Sequence, residues 1–225
     1  MKLDHTFIVA DKKVILPYTP TREYEIESLG ELPPKPVYEL VKRCFDVVLS
    51  AVLLLLLAIP MILIGFAVKL SSPGPVLYFQ ERLGKDGKHI KICKFRTMVS
   101  DSEIDTIRWS YDEDPRITPL GKILRKYHID ELPQLWDIFR GVLSFVGPRP
   151  EREVFYDAFE TYIHGFRERL KVTPGLTGLA QVTGGSRMPP EEKIICDIEY
   201  IKNRSLMLDF KLIVKTLAVV ILGRF

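Results

Sequence analysis

These 225 residues contain no G-x-x-x-x-G-K-[ST] loop, no G-x-G-x-x-G after a strand pattern and no G-x-S-x-G elbow. P-loop phosphate chemistry, Rossmann-type dinucleotide binding and α/β-hydrolase chemistry are thereby excluded. Cysteine is scarce. Cys44, Cys93 and Cys196 are scattered, odd in number and free of C-x-x-C spacing, which fits reduced cytosolic thiols and neither a disulfide framework nor a zinc site. His5, His89, His128 and His164 show no metal spacing either. A net charge of +3 is too small to imply a nucleic-acid partner. The N-terminus does not read as a secretory signal, because the apolar run comes late and no small-residue cleavage site follows it. No internal repeat or low-complexity tract is visible.

What is present fits one domain of ordinary size with a core. Apolar residues make up 47% and charged residues 27%, and the mean hydropathy of +0.08 is high for a soluble enzyme. The excess sits in residues 47–68, VVLSAVLLLLLAIPMILIGFAV, which carry no charge. As one helix the run would extend roughly 33 Å, enough to cross hydrocarbon. Pro60 lies inside it, and proline kinks or breaks a helix. Lys42 and Arg43 precede the run, and Lys69, Arg82, Lys85 and Lys88 follow it. Basic flanks favour the cytoplasmic side. A re-entrant hairpin over about residues 41–70 satisfies both flanks, and a kinked single span is the alternative.

Residues 1–37 read as an accessory segment, a short hairpin turning near Asp11–Lys13 followed by a Pro- and Glu-rich linker. Residues 38–225 form the main domain. PVLYFQERLGKDGKHIKICKFRTM suggests two strands about a turn at Gly84–Gly87. Helices are expected around Leu120–Tyr127, from Asp130 to a stop at Gly141, over residues 151–170, and from Pro190 onward. Residues 172–189 read as extended and turn-rich. The apolar C-terminal stretch suits either the membrane interface or the core. The fold class expected is α+β, mainly helical: a re-entrant membrane hairpin with a small cytoplasmic catalytic domain.

The adjacent carboxylates Asp130 and Glu131 admit a bland reading, with Asp130 capping a helix and Glu131 complementing its dipole. They also suit phosphate chemistry, one carboxylate attacking phosphorus and one holding Mg²⁺. Lys91, Lys94 and Arg96 are basic, and 94 and 96 share a face if the segment is a strand. Arg149 is set between two prolines in GPRP, pre-ordered for bidentate phosphate contact. Taken singly, each reads as a surface charge; together they suit phosphoryl transfer.

The order KRCFD, Pro60, SPGPVLYFQERLG, KICKFRTM, DPRITPLGKILRKYHIDELPQLWDIFRGVLSFVGPRPE, VTPGLTGLAQVTG and DIEYIKN resembles the bacterial sugar transferases, the monotopic polyprenyl-phosphate phosphoglycosyl transferases. The resemblance runs from about Val37 to the C-terminus. It implies transfer of a sugar-1-phosphate from a UDP-sugar to polyprenyl (undecaprenyl) phosphate, with a phosphosugar held on Asp130 and UMP released. It implies Mg²⁺ held by Glu131 with Asp130, and substrate contacts from Lys94, Arg96, Arg149, Gln181, Arg187 and Asp197. It further implies a helix broken at Pro60 and a place on the cytoplasmic face of the bacterial inner membrane, feeding capsule or exopolysaccharide assembly. The bilayer is a partner and a homodimer is among the assemblies expected. Three positions depart from the pattern. Ile59 stands where some relatives have serine, Leu179 where many have tryptophan, and Gly185 where arginine is common, with Arg187 as the nearby substitute. Sugar-only transfer with release of UDP, and a non-catalytic membrane scaffold, are the competing readings.

Overall fold

In the computed structural model the uncharged run folds as two helices, α1 (Pro36–Leu56) and α2 (Ala58–Ser71), bent by 63°. Residues 5–9, 12–16, 20, 22–99, 106–108, 116–185 and 188–222 are described. Pro60 sits in the first turn of α2 and has no N–H to give the Leu56 carbonyl, so the break falls at Leu57, less than one turn earlier. No single described helix is long and apolar enough to cross a membrane; the bent pair passes by length and composition.

Helix α1 is inside out. Tyr38, Lys42, Asp46 and Ser50 recur every four residues, so they form one stripe, and Asp46 and Ser50 are its buried residues. Val48, Val52 and Leu55 are exposed, Leu55 by 80%. The inward stripe and its neighbour Arg43 hold the body. Lys42 Nζ lies 2.7 Å from Asp209 Oδ2, to which Tyr38 also donates. Arg43 donates to the carbonyls of Ile138 and Phe139, at 2.7 Å each. Asp46 accepts from the Phe145 amide at 3.1 Å. The two basic residues counted as a flank are thus engaged within the protein.

The body mixes helix and strand. β1 (His5–Val9) and β2 (Lys12–Leu16) form the expected hairpin, and β6 (Thr106–Arg108) joins β2 in parallel. β3 (Tyr24–Glu25) pairs with β8 (Ile163–His164). Residues 22–35 lie along the body: the Leu29 amide donates to Glu168, and Arg204 donates to the Pro33 carbonyl. Val14 is fully buried in one core cluster with Phe155, Phe159 and Phe166.

β4 (Leu77–Leu83) and β5 (His89–Phe95) form the expected antiparallel hairpin, turned by a 3-10 segment at Lys85–Gly87 with Asp86 and Gly87 at positive φ. α3 (Pro119–Lys126) is capped by the Thr118 hydroxyl, which accepts from the Gly121 amide. α4 (Gln134–Arg140) ends at Gly141, φ 83°, as its glycine predicts.

Two expectations fail and a third holds only in part. Asp130 is not a helix cap: it lies in a 3-10 turn, Ile129–Glu131, entered through His128 at φ 53°, and α4 starts only at Gln134. The i→i+3 bonds of this turn, Glu131 to His128 and Leu132 to Ile129, already use the amides that a cap would serve. Residues 151–170 are not one helix. α5 (Glu153–Glu160) stops, β8 follows, Gly165 turns at φ 90°, and Phe166–Lys171 is 3-10. Glu160 accepts from the Gly165 amide and stabilises that stop. Residues 172–189 contain β9 (Gly175–Thr177), parallel to β7 (Ser144–Val146), and the short α6 (Leu179–Gly184). α7 (Pro190–Asn203) and α8 (Leu206–Leu222) close the chain. Helix α8 divides between the two environments proposed for it: Leu212 and Asp209 are buried, while Met207, Phe210 and Leu217 are exposed.

Candidate active site

Asp130 and Glu131 are brought to β5 and to the loop after β7. Lys94 Nζ lies 2.6 Å from Glu131 Oε1. Arg149 donates to both oxygens of Glu131, Nη2 to Oε1 and Nη1 to Oε2 at 3.3 Å. His128 Nδ1 is 3.9 Å from Oε2. Both carboxylates are buried, Asp130 7% and Glu131 6% exposed. Burial alone would raise Glu131, but Arg149 and Lys94 outweigh it and hold the carboxyl well below its usual range. Asp130 goes the other way. Burial and then the Glu131 charge raise it, against Lys94, Arg125 and His128. No hydrogen bond or ion pair ties its carboxylate among the described residues. The site thus holds one neutralised carboxylate and one bare one.

The Arg149 loop is fixed by close backbone contact. The Gly147 amide donates to the Thr177 carbonyl at 2.8 Å and the Gly175 amide to Pro148 at 2.9 Å. A Cβ on Gly175 would stand 2.1 Å from the Gly147 nitrogen, so only glycine permits this approach. Behind the loop lies a buried ionic network. Glu151 meets Arg82 at 2.8 Å and Lys193 at 3.1 Å. Burial pushes Glu151 up, but Lys193, Arg82 and Arg169 bring it down to about 2.

The remaining predicted site residues disperse. Arg96 diverges from Lys94, because the strand ends at Phe95; its guanidinium binds the carbonyls of Pro73, Ser72 and Val68 at the end of α2. Asp197 is buried against Arg169 at 2.6 Å, and Arg169 donates to the Arg149 carbonyl at 2.9 Å. Asp197 therefore stands one residue removed from the loop. Gln181 is buried with both amide atoms unpartnered, its oxygen beside Gly178. Arg187 lies outside the described residues. Pro60 belongs to the helix break.

Sequence reasoning missed Gln134, Arg82, Glu151 and Lys193. Gln134 is buried, its amide nitrogen unpartnered, four residues after Asp130. That spacing was a visible signal. The ionic network was not, since its members come from separate elements. No group of three or more His, Cys, Asp or Glu side chains forms a metal cluster among the described residues. Two adjacent carboxylates, with Oε2 of Glu131 only partly used, do fit Mg²⁺, which takes one or two carboxylates and completes its shell with phosphate oxygens and water.

The family model for bacterial sugar transferases matches residues 37–223. The chain is 39% identical over 199 residues to the UDP-N-acetylgalactosamine-undecaprenyl-phosphate N-acetylgalactosaminephosphotransferase of Aeromonas hydrophila, covering 87% of this chain and 47% of that protein. It is 37% identical to the UDP-glucose:undecaprenyl-phosphate glucose-1-phosphate transferase of Escherichia coli (strain K12), covering 85% and 44%. To the exopolysaccharide production protein ExoY of Rhizobium meliloti it is 37% identical, covering 84% and 89%. The chain thus spans about half the length of the first two relatives and most of the third. By this match over most of its length, the chain belongs to the bacterial sugar transferase family.

Proposed function

We propose that the chain transfers a sugar-1-phosphate from a UDP-sugar to undecaprenyl phosphate through a covalent phosphosugar on Asp130. The observation that carries this reading is the asymmetry of the pair: Glu131 is neutralised by Lys94 and Arg149, and Asp130 is buried and unpaired among the described residues. A carboxylate without partners keeps its lone pairs for attack. Asp130 attacks the β-phosphorus, the bond to the bridging oxygen breaks, and UMP leaves with the electron pair. An oxygen of undecaprenyl phosphate then attacks the same phosphorus, and Asp130 departs as a carboxylate. Lys94 and Arg149 bind and orient phosphate oxygens, and Glu131 keeps these cations in place between turnovers. Asp130 and Glu131 would hold Mg²⁺, whose charge would offset repulsion between carboxylate and phosphate.

The inside-out α1 supports membrane placement, since exposed apolar side chains over a buried polar stripe suit lipid and not water. The bent pair is read as a re-entrant hairpin, with the exposed face of α8 in the interface and the body on the cytoplasmic side of a bacterial inner membrane.

Nucleotide release tests the reaction. Purified enzyme receives undecaprenyl phosphate, Mg²⁺ and a panel of UDP-sugars, beside Asp130→Ala. UMP from the wild type alone is the expected result. Release of UDP would mean sugar-only transfer, and no product with any donor would favour a scaffold.

A further inference from the structure

The face of the β4–β5 hairpin that carries Lys94 also carries an aromatic side chain that the reaction above leaves without a part. The register sets Tyr78 directly opposite Lys94, Gln80 opposite Ile92 and Arg82 opposite Ile90. Opposite residues in an antiparallel pair share a face, their Cβ atoms roughly 4.5–5.5 Å apart. Alternation puts Tyr78 and Arg82 on that same face. It is fastened to the candidate site in two places. Lys94 holds Glu131, and Arg82 holds Glu151 and donates to the Pro150 carbonyl beside Arg149. Tyr78 stands at the Lys94 end of this face and is 44% exposed.

We infer that Tyr78 is the platform on which the uracil ring of the donor stacks; this rests on the UDP-sugar reading above. The hexose is bonded to the phosphorus under attack, so it lies beside Asp130. Uridine is separated from that phosphorus by a second phosphate, which the cations Lys94 and Arg149 suit. An aromatic side chain directly opposite Lys94 on the same face of the hairpin suits the part of the donor that follows that phosphate. A planar base has a π-face that a tyrosine ring can cover, with little side-chain entropy to lose.

The test is equilibrium binding of UDP and UMP to the full chain in detergent, for wild type, Tyr78→Ala, Tyr78→Leu and Tyr78→Phe. The expected result is about ten- to a hundredfold weaker binding of both nucleotides to the Ala and Leu variants. Phe should stay within about twofold of wild type, because stacking needs the ring and not the hydroxyl. Thermal midpoints should coincide, since the residue is partly exposed. Unchanged nucleotide affinity in Tyr78→Ala would overturn the inference. So would an effect confined to the KM for undecaprenyl phosphate or to vesicle partitioning, which would make the ring a lipid contact. A wild type that binds neither nucleotide would overturn it as well. Release of UDP in place of UMP would sink the proposed reaction alone, because a Tyr78-dependent affinity for UDP would stand without it.

Discussion

At the residue scale, the two neighbouring carboxylates are set apart by their partners and not by their position. Asp130→Asn should lower turnover by about a thousandfold or more while membrane association persists. Its thermal midpoint should equal or exceed that of wild type. The reason is linkage: a carboxyl whose folded pKa is raised makes its ionised form a cost to stability above the unfolded value, and the amide removes that cost. The acid limb of kcat/KM for the first half-reaction should lie above the ordinary aspartate value of 3.8, activity falling as pH drops through the raised pKa. A limb below that value would count against Asp130 as the attacking base. Glu151 works in the opposite sense. Its contribution is present in full above its unfolded value of 4.5 and is lost as pH falls toward about 2. Glu151→Gln should therefore cost roughly 3 kcal/mol at neutral pH in urea unfolding, and the gap to wild type should close in acid.

At the scale of elements, the site depends on strand β9 lying against the Arg149 loop. Gly175→Ala should cost about 2–4 kcal/mol and most of the activity, because the new Cβ meets the Gly147 nitrogen; an unchanged thermal midpoint would show that the backbones can part. Pro60→Ala restores a donor for the Leu56 carbonyl and should reduce the 63° bend, read as a longer distance between spin labels near residues 40 and 70. Elements with local signals were legible in the sequence: the hairpin about Gly84–Gly87, α3 behind Thr118, the stop at Gly141 and the break before Pro60. What failed was set by a backbone conformation and a short-range side-chain bond that the residue pattern does not reveal. His128 in the left-handed region converted a helix start into a 3-10 turn, and Glu160 bonding the Gly165 amide ended α5 within a charged stretch. Of the candidate site, Asp130, Glu131, Lys94 and Arg149 converge as one group. Arg96 and Asp197 share their residue types but spend their charges on the α2 carbonyls and on Arg169. No sequence spacing distinguishes a cation facing phosphate from one facing a backbone carbonyl.

At the scale of the whole molecule, strand β2 reaches into the core. Val14 is fully buried among Phe155, Phe159 and Phe166, so deletion of residues 1–19 should lower the thermal midpoint by several degrees; an unchanged midpoint would make the hairpin a passenger. The inward stripe of α1 carries a larger consequence. Through Arg43, Asp46 and Lys42 it fastens α4, the strand leading to Arg149, and α8. The keel and the hull are therefore one casting. An enzyme pared down to start after residue 71 would lose the Arg43 bonds to the helix-end carbonyls and the Lys42 and Tyr38 bonds to Asp209, and would be an unfinished body in place of a free-swimming one. Under the proposed placement, catalysis of this design is bound to a surface by its own interior, and its search for a lipid acceptor runs in two dimensions.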